Sequence, residues 1–89
     1  MIGYITLGTN DLDRARDFYD ALLAEMGVSR LMAFGDRGYG WAPSLDKPML
    51  CVFTPFDGQP ATVGNGVMAG LAADSREAVD RVHRKALEL

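Results

Sequence analysis

The chain contains one histidine and one cysteine, two residue types that commonly act as bases, nucleophiles or metal ligands. His83 falls in a helical pattern directly before Arg84 and has no positioned partner. This context predicts a surface or helix-edge histidine without a chemical role. Cys51 lies among apolar residues of a strand pattern, where a thiol acts as a small apolar filler. The sequence therefore leaves the catalytic residues, if there are any, unknown.

Side chains on two predicted strands form a second set of candidates: Tyr4, Thr6, Met68 and Gly70. The two-residue period of a strand turns all four away from the predicted helices. One phenolic hydroxyl among soft and small side chains suits a pocket for an apolar or aromatic small molecule. The alternative, a solid core filled by the same side chains, fits the pattern equally well. Neighbouring strands hold three further candidates for the pocket wall: Tyr39, Trp41 and Phe53.

Composition and charge exclude several classes of protein. Hydrophobic residues make up 48% of the chain and charged residues 24%, which is typical of a globular domain. The net charge is −3 and the basic residues are scattered, which argues against a nucleic-acid partner. No apolar run approaches the ~20 residues of a membrane span, and no leader pattern follows Met1. With a single cysteine, a reducing compartment is expected, so we predict a soluble cytoplasmic protein.

The first part of the sequence predicts a strand followed by a helix. Residues 2–7 alternate as a strand, with Ile5 and Leu7 on one face. Asn10 or Asp11 is the expected N-cap of a helix whose apolar residues recur at three and four positions up to residue 26. Gly27 is then expected to end this helix.

The middle of the sequence predicts a three-stranded meander. Short apolar runs over 30–34, 39–42 and 49–54 are separated by residues that favour turns, including Gly35 to Gly38. The following segment is rich in glycine and proline, which indicates a linker.

A strand-then-helix unit recurs at the end of the chain. Residues 67–72 are predicted to form a strand, and Asp74 to Glu77 offers a D-x-x-E variant of the capping box before a final helix. We therefore divide the chain into a first module over 1–55, a linker over 56–66 and the beginning of a second module over 67–89. The predicted fold class is α+β.

The order strand, helix, three strands, linker, strand and helix resembles the vicinal oxygen chelate superfamily. This is the group of glyoxalases, bleomycin resistance proteins and extradiol dioxygenases. The segments that carry the resemblance are YITLGTNDLDRA (4–15), PFDGQPATVGNG (55–66) and SREAVD (75–80). The second of these is similar to the linker of a narrower, glyoxalase-like branch. The resemblance covers essentially the whole chain.

The resemblance implies two βαβββ modules whose sheets form a cup that holds a divalent metal on His, Gln or Glu side chains. The corresponding positions of the first and fifth strands are occupied here by Tyr4 and Met68. Because a phenol and a thioether are poor ligands for hard or borderline ions, we predict no metal ligand and no cofactor. A divalent metal would need ligands beyond Leu89. The three strands that the resemblance implies after the last helix are absent from this chain, so a longer polypeptide or a partner would supply them.

The resemblance leaves three hypotheses for function. The first is a glyoxalase-like protein that binds a small organic molecule in the cup, with lyase or dioxygenase activity as the chemistry that the family suggests. The second is a non-enzymatic protein that binds or sequesters a small molecule, as drug-resistance proteins do. The third is a fold that serves assembly, because exposed sheet edges favour pairing in a homodimer.

Overall fold

Four strands and two helices make up the protein, and the computed structural model describes all of residues 1–89. The elements in chain order are β1 (Tyr4–Gly8), α1 (Leu12–Ala24), β2 (Ser29–Ala33), β3 (Gly38–Ala42), β4 (Met49–Phe53) and α2 (Arg76–Glu88). The first five follow the predicted order within one or two residues at each end. The α+β class is confirmed. Neither helix is both long and apolar enough to cross a membrane.

The strands form one sheet in the order β1-β4-β3-β2. The predicted meander of β2, β3 and β4 is antiparallel, whereas β1 pairs in parallel with β4. Because β1 and β2 lie at opposite edges, α1 carries the chain across one face of the sheet. It packs there against β2, β3 and β4. We refer to the opposite side of the sheet as the open face.

Alternation along β1 divides its side chains between these two faces, as predicted. Ile5 and Leu7 pack against a buried cluster under α1. That cluster contains Leu23, Trp41, Leu50 and Val52. Tyr4 and Thr6 therefore point to the open face.

The ends of the first helix match the predicted capping. The Asp11 carboxylate accepts a hydrogen bond from the Arg14 N–H at 3.1 Å. Gly27, with a φ of 70°, follows the last turn, and the next N–H, of Val28, donates to the Leu23 carbonyl at 3.0 Å. Glycine adopts this left-handed conformation at little cost, so the chain can leave the helix there.

The N-cap of the last helix corrects the sequence prediction by one residue. Ser75, not Asp74, caps α2, because its Oγ accepts a hydrogen bond from the Ala78 N–H at 3.1 Å. The backbone of Ser75 is extended, with a φ of −157°, which is usual for the residue that precedes a first helical turn. The D-x-x-E capping box is therefore not formed.

The predicted strand over 67–72 is absent, which corrects a second prediction. A turn closed by the Val67 N–H and the Gly64 carbonyl begins this segment, but residues 68–73 make no backbone hydrogen bond. A strand needs a hydrogen-bonded neighbour, and none of the four strands pairs with this segment. The division of the chain at residues 55 and 66 stays a prediction.

The last helix packs against α1 and not against the sheet. Ala78 is buried at this contact, and Arg81 approaches Glu25 to 4.0 Å. Other apolar residues of α2 are exposed, including Val79 (54%) and Leu87 (75%).

Candidate functional site

A cavity of about 760 Å³ lies on the open face, beside the end of β4. Its walls come from β1, from the turn between β2 and β3, and from the segment that follows β4. Three of the four phenylalanines of the chain line it, together with a tyrosine. These aromatic residues are Tyr4, Phe34, Phe53 and Phe56. The rings of Phe34 and Phe53 stand 5.0 Å apart.

Two glycines of β3 shape the open face beside this cavity. Gly38 pairs with Phe53 and Gly40 with Cys51. A Cβ atom added to Gly38 would lie 2.6 Å from the Phe53 ring, and one added to Gly40 would lie 2.5 Å from the sulfur of Met49. Because β3 has no side chain on the open face at these two positions, the side chains of β4 lie across β3. This places the Phe53 ring against Phe34 in the cavity wall.

The segment after β4 is fastened to the end of β1 by hydrogen bonds. The Asn10 side chain donates to the Ala61 carbonyl at 3.1 Å and accepts from the Ala61 N–H at 2.6 Å. The Thr9 N–H donates to the Phe53 carbonyl at 2.9 Å, so the strand ends are also joined. These contacts hold residues 55–62 as one wall of the cavity, where the sequence predicted a linker.

Arg37 lies in the turn between β2 and β3 and is the only basic residue of the lining. Its carbonyl accepts a hydrogen bond from the Thr54 N–H at 2.9 Å. Its guanidinium stands 5.3 Å from the centre of the Phe56 ring, and Nη2 donates to the Phe56 carbonyl at 3.4 Å. No carboxylate forms an ion pair with it.

The predicted pocket residues separate into two groups. Tyr4 and Thr6 line the cavity. Met68 does not, and its side chain is 91% exposed. Gly70 is also exposed and has no atom within 4 Å of an added Cβ. The cause is the missing strand over 67–72, because only a paired strand would hold these residues beside β1.

Trp41 lies on the opposite side of the sheet, so the prediction that it contributes to the pocket wall is wrong. It pairs with Leu50, is 1% exposed, and belongs to the cluster under α1. Its indole N–H donates to Asp20 Oδ1 at 2.8 Å. This satisfied buried donor gives Trp41 a structural role. Tyr39, two residues earlier on the same strand, packs on the same cluster.

The side chains that could act on a substrate are few and separate. Cys51 is 2% exposed, and burial raises the pKa of its thiol, which makes it a poor nucleophile. His83 is exposed on α2, as predicted. No group of three or more His, Cys, Asp or Glu side chains comes together. The residues present therefore do not fit a divalent metal of the kind that the resemblance implies.

Sequence reasoning missed Phe34, Arg37 and Phe56 as lining residues. Each was assigned to a turn, a linker or the end of a strand. No pattern in the sequence distinguished them, because a single exposed aromatic side chain such as Phe56 is common on protein surfaces.

Comparison with solved structures places the whole chain on known relatives. A glyoxalase/bleomycin resistance protein from Albidiferax ferrireducens is 36% identical, and the match covers 99% of this chain and 70% of that one, with a TM-score of 0.88. A second structure, described as a putative glyoxalase from Bacillus halodurans, is 26% identical over 99% of this chain and 68% of its own, with a TM-score of 0.69. No protein-family model matches the sequence, and no curated protein matches it.

Proposed function

The chain belongs to the glyoxalase/bleomycin resistance protein family of the vicinal oxygen chelate superfamily, and on this basis we propose that it binds a small organic molecule on the open face of its sheet. The observation that carries the proposal is the cavity walled by Tyr4, Phe34, Phe53 and Phe56. Its volume of about 760 Å³ falls within the ~300–1,000 Å³ of typical ligand sites.

The energetics of the cavity favour a ligand with an apolar or aromatic body. Phe56 is 91% exposed and Tyr4 is 68% exposed, so both rings present apolar area to solvent. A molecule seated between them would remove that area from water, at about 25 cal/mol per Å². Aromatic side chains also favour stacked or edge-on contact with a planar ligand.

Binding without chemistry is the form of this function that the lining favours. The ionisable side chains of the cavity lining are Tyr4, Arg37 and Asp57, and the lining contains no histidine, cysteine or glutamate. Asp57 is engaged, because its Oδ1 accepts a hydrogen bond from the Gln59 N–H at 3.0 Å. A sequestering protein needs only contact and hydrogen bonds, whereas a lyase or dioxygenase needs a base or a metal placed at the substrate. We therefore propose ligand binding rather than catalysis as the function.

A thermal-shift screen with small aromatic compounds tests the proposal. The expected result is a rise in Tm with at least one compound, unchanged when EDTA is present. Thr6→Trp, which fills the cavity from β1, is expected to abolish the rise. Leu45→Trp adds the same side chain at a position that is 76% exposed and outside the lining, and is expected to keep it. No rise with any compound, or an equal rise in both variants, would contradict the proposal.

The proposal includes a homodimer in the cytoplasm. Apolar side chains of α2 and of residues 67–71 are exposed, including Met68, Leu71 and Leu87. They support assembly, because an exposed apolar surface favours contact with a partner. The single free cysteine is compatible with a reducing compartment. Light scattering at micromolar concentration tests the assembly, and a monomer would contradict it.

A further inference from the structure

A second hollow adjoins the cavity and shares Arg37 with it. This hollow has a volume of about 710 Å³, and Arg37 is its only charged lining residue. Thr54, Phe56 and Gln59 also line both spaces. The two spaces are therefore neighbouring parts of one site, and Arg37 is the charged residue that they share.

The two parts differ in chemistry. All four aromatic side chains line the cavity. Phe56 is the only one of them that also lines the second hollow, whose other lining residues are mainly polar. Gln59 makes no side-chain hydrogen bond, so its amide is available to a ligand. Asp57, the one carboxylate of the lining, borders the cavity and not the second hollow. A negative charge placed in the hollow thus meets a cation without facing an acidic lining residue.

Arg37 is held in a position to receive such a charge. Its backbone is tied to Thr54, and its guanidinium lies over the Phe56 ring at 5.3 Å. A guanidinium over the face of a ring is attracted to it and keeps its N–H groups available to other acceptors. Only Nη2 is engaged, through a long bond of 3.4 Å to the Phe56 carbonyl. A carboxylate can accept two parallel N–H bonds from a guanidinium.

We infer that the ligand is an aromatic carboxylate whose ring occupies the cavity and whose carboxylate lies in the second hollow on Arg37. This inference rests on the proposed function and adds the chemical class of the ligand. It assigns Arg37 the role of recognising the charge, and Phe34, Phe53 and Phe56 the role of holding the ring.

Isothermal titration calorimetry with a matched pair of probes tests the inference. The probes are 2-naphthoate and 2-naphthamide, which share size and aromatic body but differ in charge. We expect the carboxylate to bind at least about 10-fold more tightly, because hydrogen bonds to charged groups are stronger than those to neutral ones. Added salt is expected to reduce the preference.

Variants at Arg37 and at a second arginine show whether the preference for the carboxylate probe comes from Arg37. Arg37→Gln is expected to bind both probes equally, and Arg37→Lys to keep part of the preference, because lysine retains the charge but not the paired donors. Arg84→Gln, at an exposed arginine of α2 that makes no ion pair, changes the net charge equally and is expected to bind like the parent. Unchanged melting temperatures would show that each variant is folded.

The outcomes separate the inference from the proposed function. Equal affinity for both probes in the parent chain, or an unchanged preference in Arg37→Gln, overturns the inference while cavity binding stands. Failure of 2-naphthoate to bind also overturns the inference. If the wider screen also yields no ligand, the proposed function is overturned as well.

Discussion

Asn10 and Ala61, which are 51 residues apart in the chain, are joined by two hydrogen bonds between the amide side chain of one and the backbone of the other. The Asn10 amide and the Ala61 backbone thus exchange two hydrogen bonds, as paired residues of neighbouring strands do. It fixes the segment that carries Phe56 beside β1. The cavity wall therefore depends on a contact that is distant in sequence.

Removal of this contact is expected to weaken ligand binding more than it weakens the fold. Asn10→Ala loses both hydrogen bonds, each worth about 1 kcal/mol, and frees the wall that the ligand contacts. We expect the affinity of the best ligand from the screen to fall about 5- to 30-fold, with a small change in Tm. Calorimetry and thermal unfolding measure the two effects.

Asn65→Ala is the matched control, because this exposed asparagine lies just after residues 55–62 and its side chain makes no hydrogen bond. It is expected to bind the ligand like the parent. Equal loss of affinity in both variants would show that the Asn10 contact does not position the wall.

Gly38→Ala is expected to destabilise the protein. An added Cβ would stand 2.6 Å from the Phe53 ring and 2.7 Å from the Val52 carbonyl oxygen, which belongs to the backbone and cannot move aside easily. Overpacking of this kind costs about 1–3 kcal/mol, measured as the free energy of unfolding in urea. Gly70→Ala meets no atom within 4 Å and is expected to leave that free energy unchanged. A Gly38→Ala variant with the free energy of unfolding of the parent would contradict the packing described for the open face.

Asp20→Ala is expected to cost about 1–3 kcal/mol, because it leaves the buried Trp41 N–H without its acceptor. Trp41 is the only tryptophan, so its fluorescence reports unfolding directly. Asp17→Ala removes an exposed pair with Arg16 on the same helix and is expected to cost about 0–1 kcal/mol. Equal costs in the two variants would argue against a special role for the indole bond.

Stability is expected to fall as the pH rises through about 10. Burial raises the pKa of Tyr19 above its ordinary value of 10.0, so the folded protein keeps this proton after the unfolded chain has lost it. Unfolding then releases a proton, and the free energy of unfolding decreases with pH in that range. Burial of Cys51 acts in the same direction from about pH 9, because its ordinary pKa is 9.0.

Urea unfolding between pH 8 and 11 measures this dependence. Tyr19→Phe is expected to flatten the part of the curve near pH 10. A Tyr19→Phe curve that runs parallel to the parent's would contradict the prediction.

Local patterns predicted four strands and both helices, including β1, although its partner β4 is distant in sequence. The period of two in β1 gave the correct faces for Ile5 and Tyr4, and the period of α1 with Gly27 gave its extent, because these depend on local geometry and burial. The turn glycines similarly indicated the meander. These features account for the fold class.

Features that depend on register or on distant partners could not be predicted. A shift of one residue moves every side chain of a strand to the other face, so Trp41 was assigned to the wrong side. The strand over 67–72 was predicted from alternation alone, although a strand also requires a neighbour. The wall carrying Phe56 depends on Asn10, whose side chain gave no indication in sequence that it reaches Ala61.

The most direct test of the central claim is a ¹H–¹⁵N NMR titration of the chain with the strongest ligand from the screen. We expect the largest shifts of amide signals in β1 and in residues 54–61, with the signals of α2 unchanged. Shifts confined to α2 and residues 67–71, or no saturable shifts at all, would contradict binding on the open face.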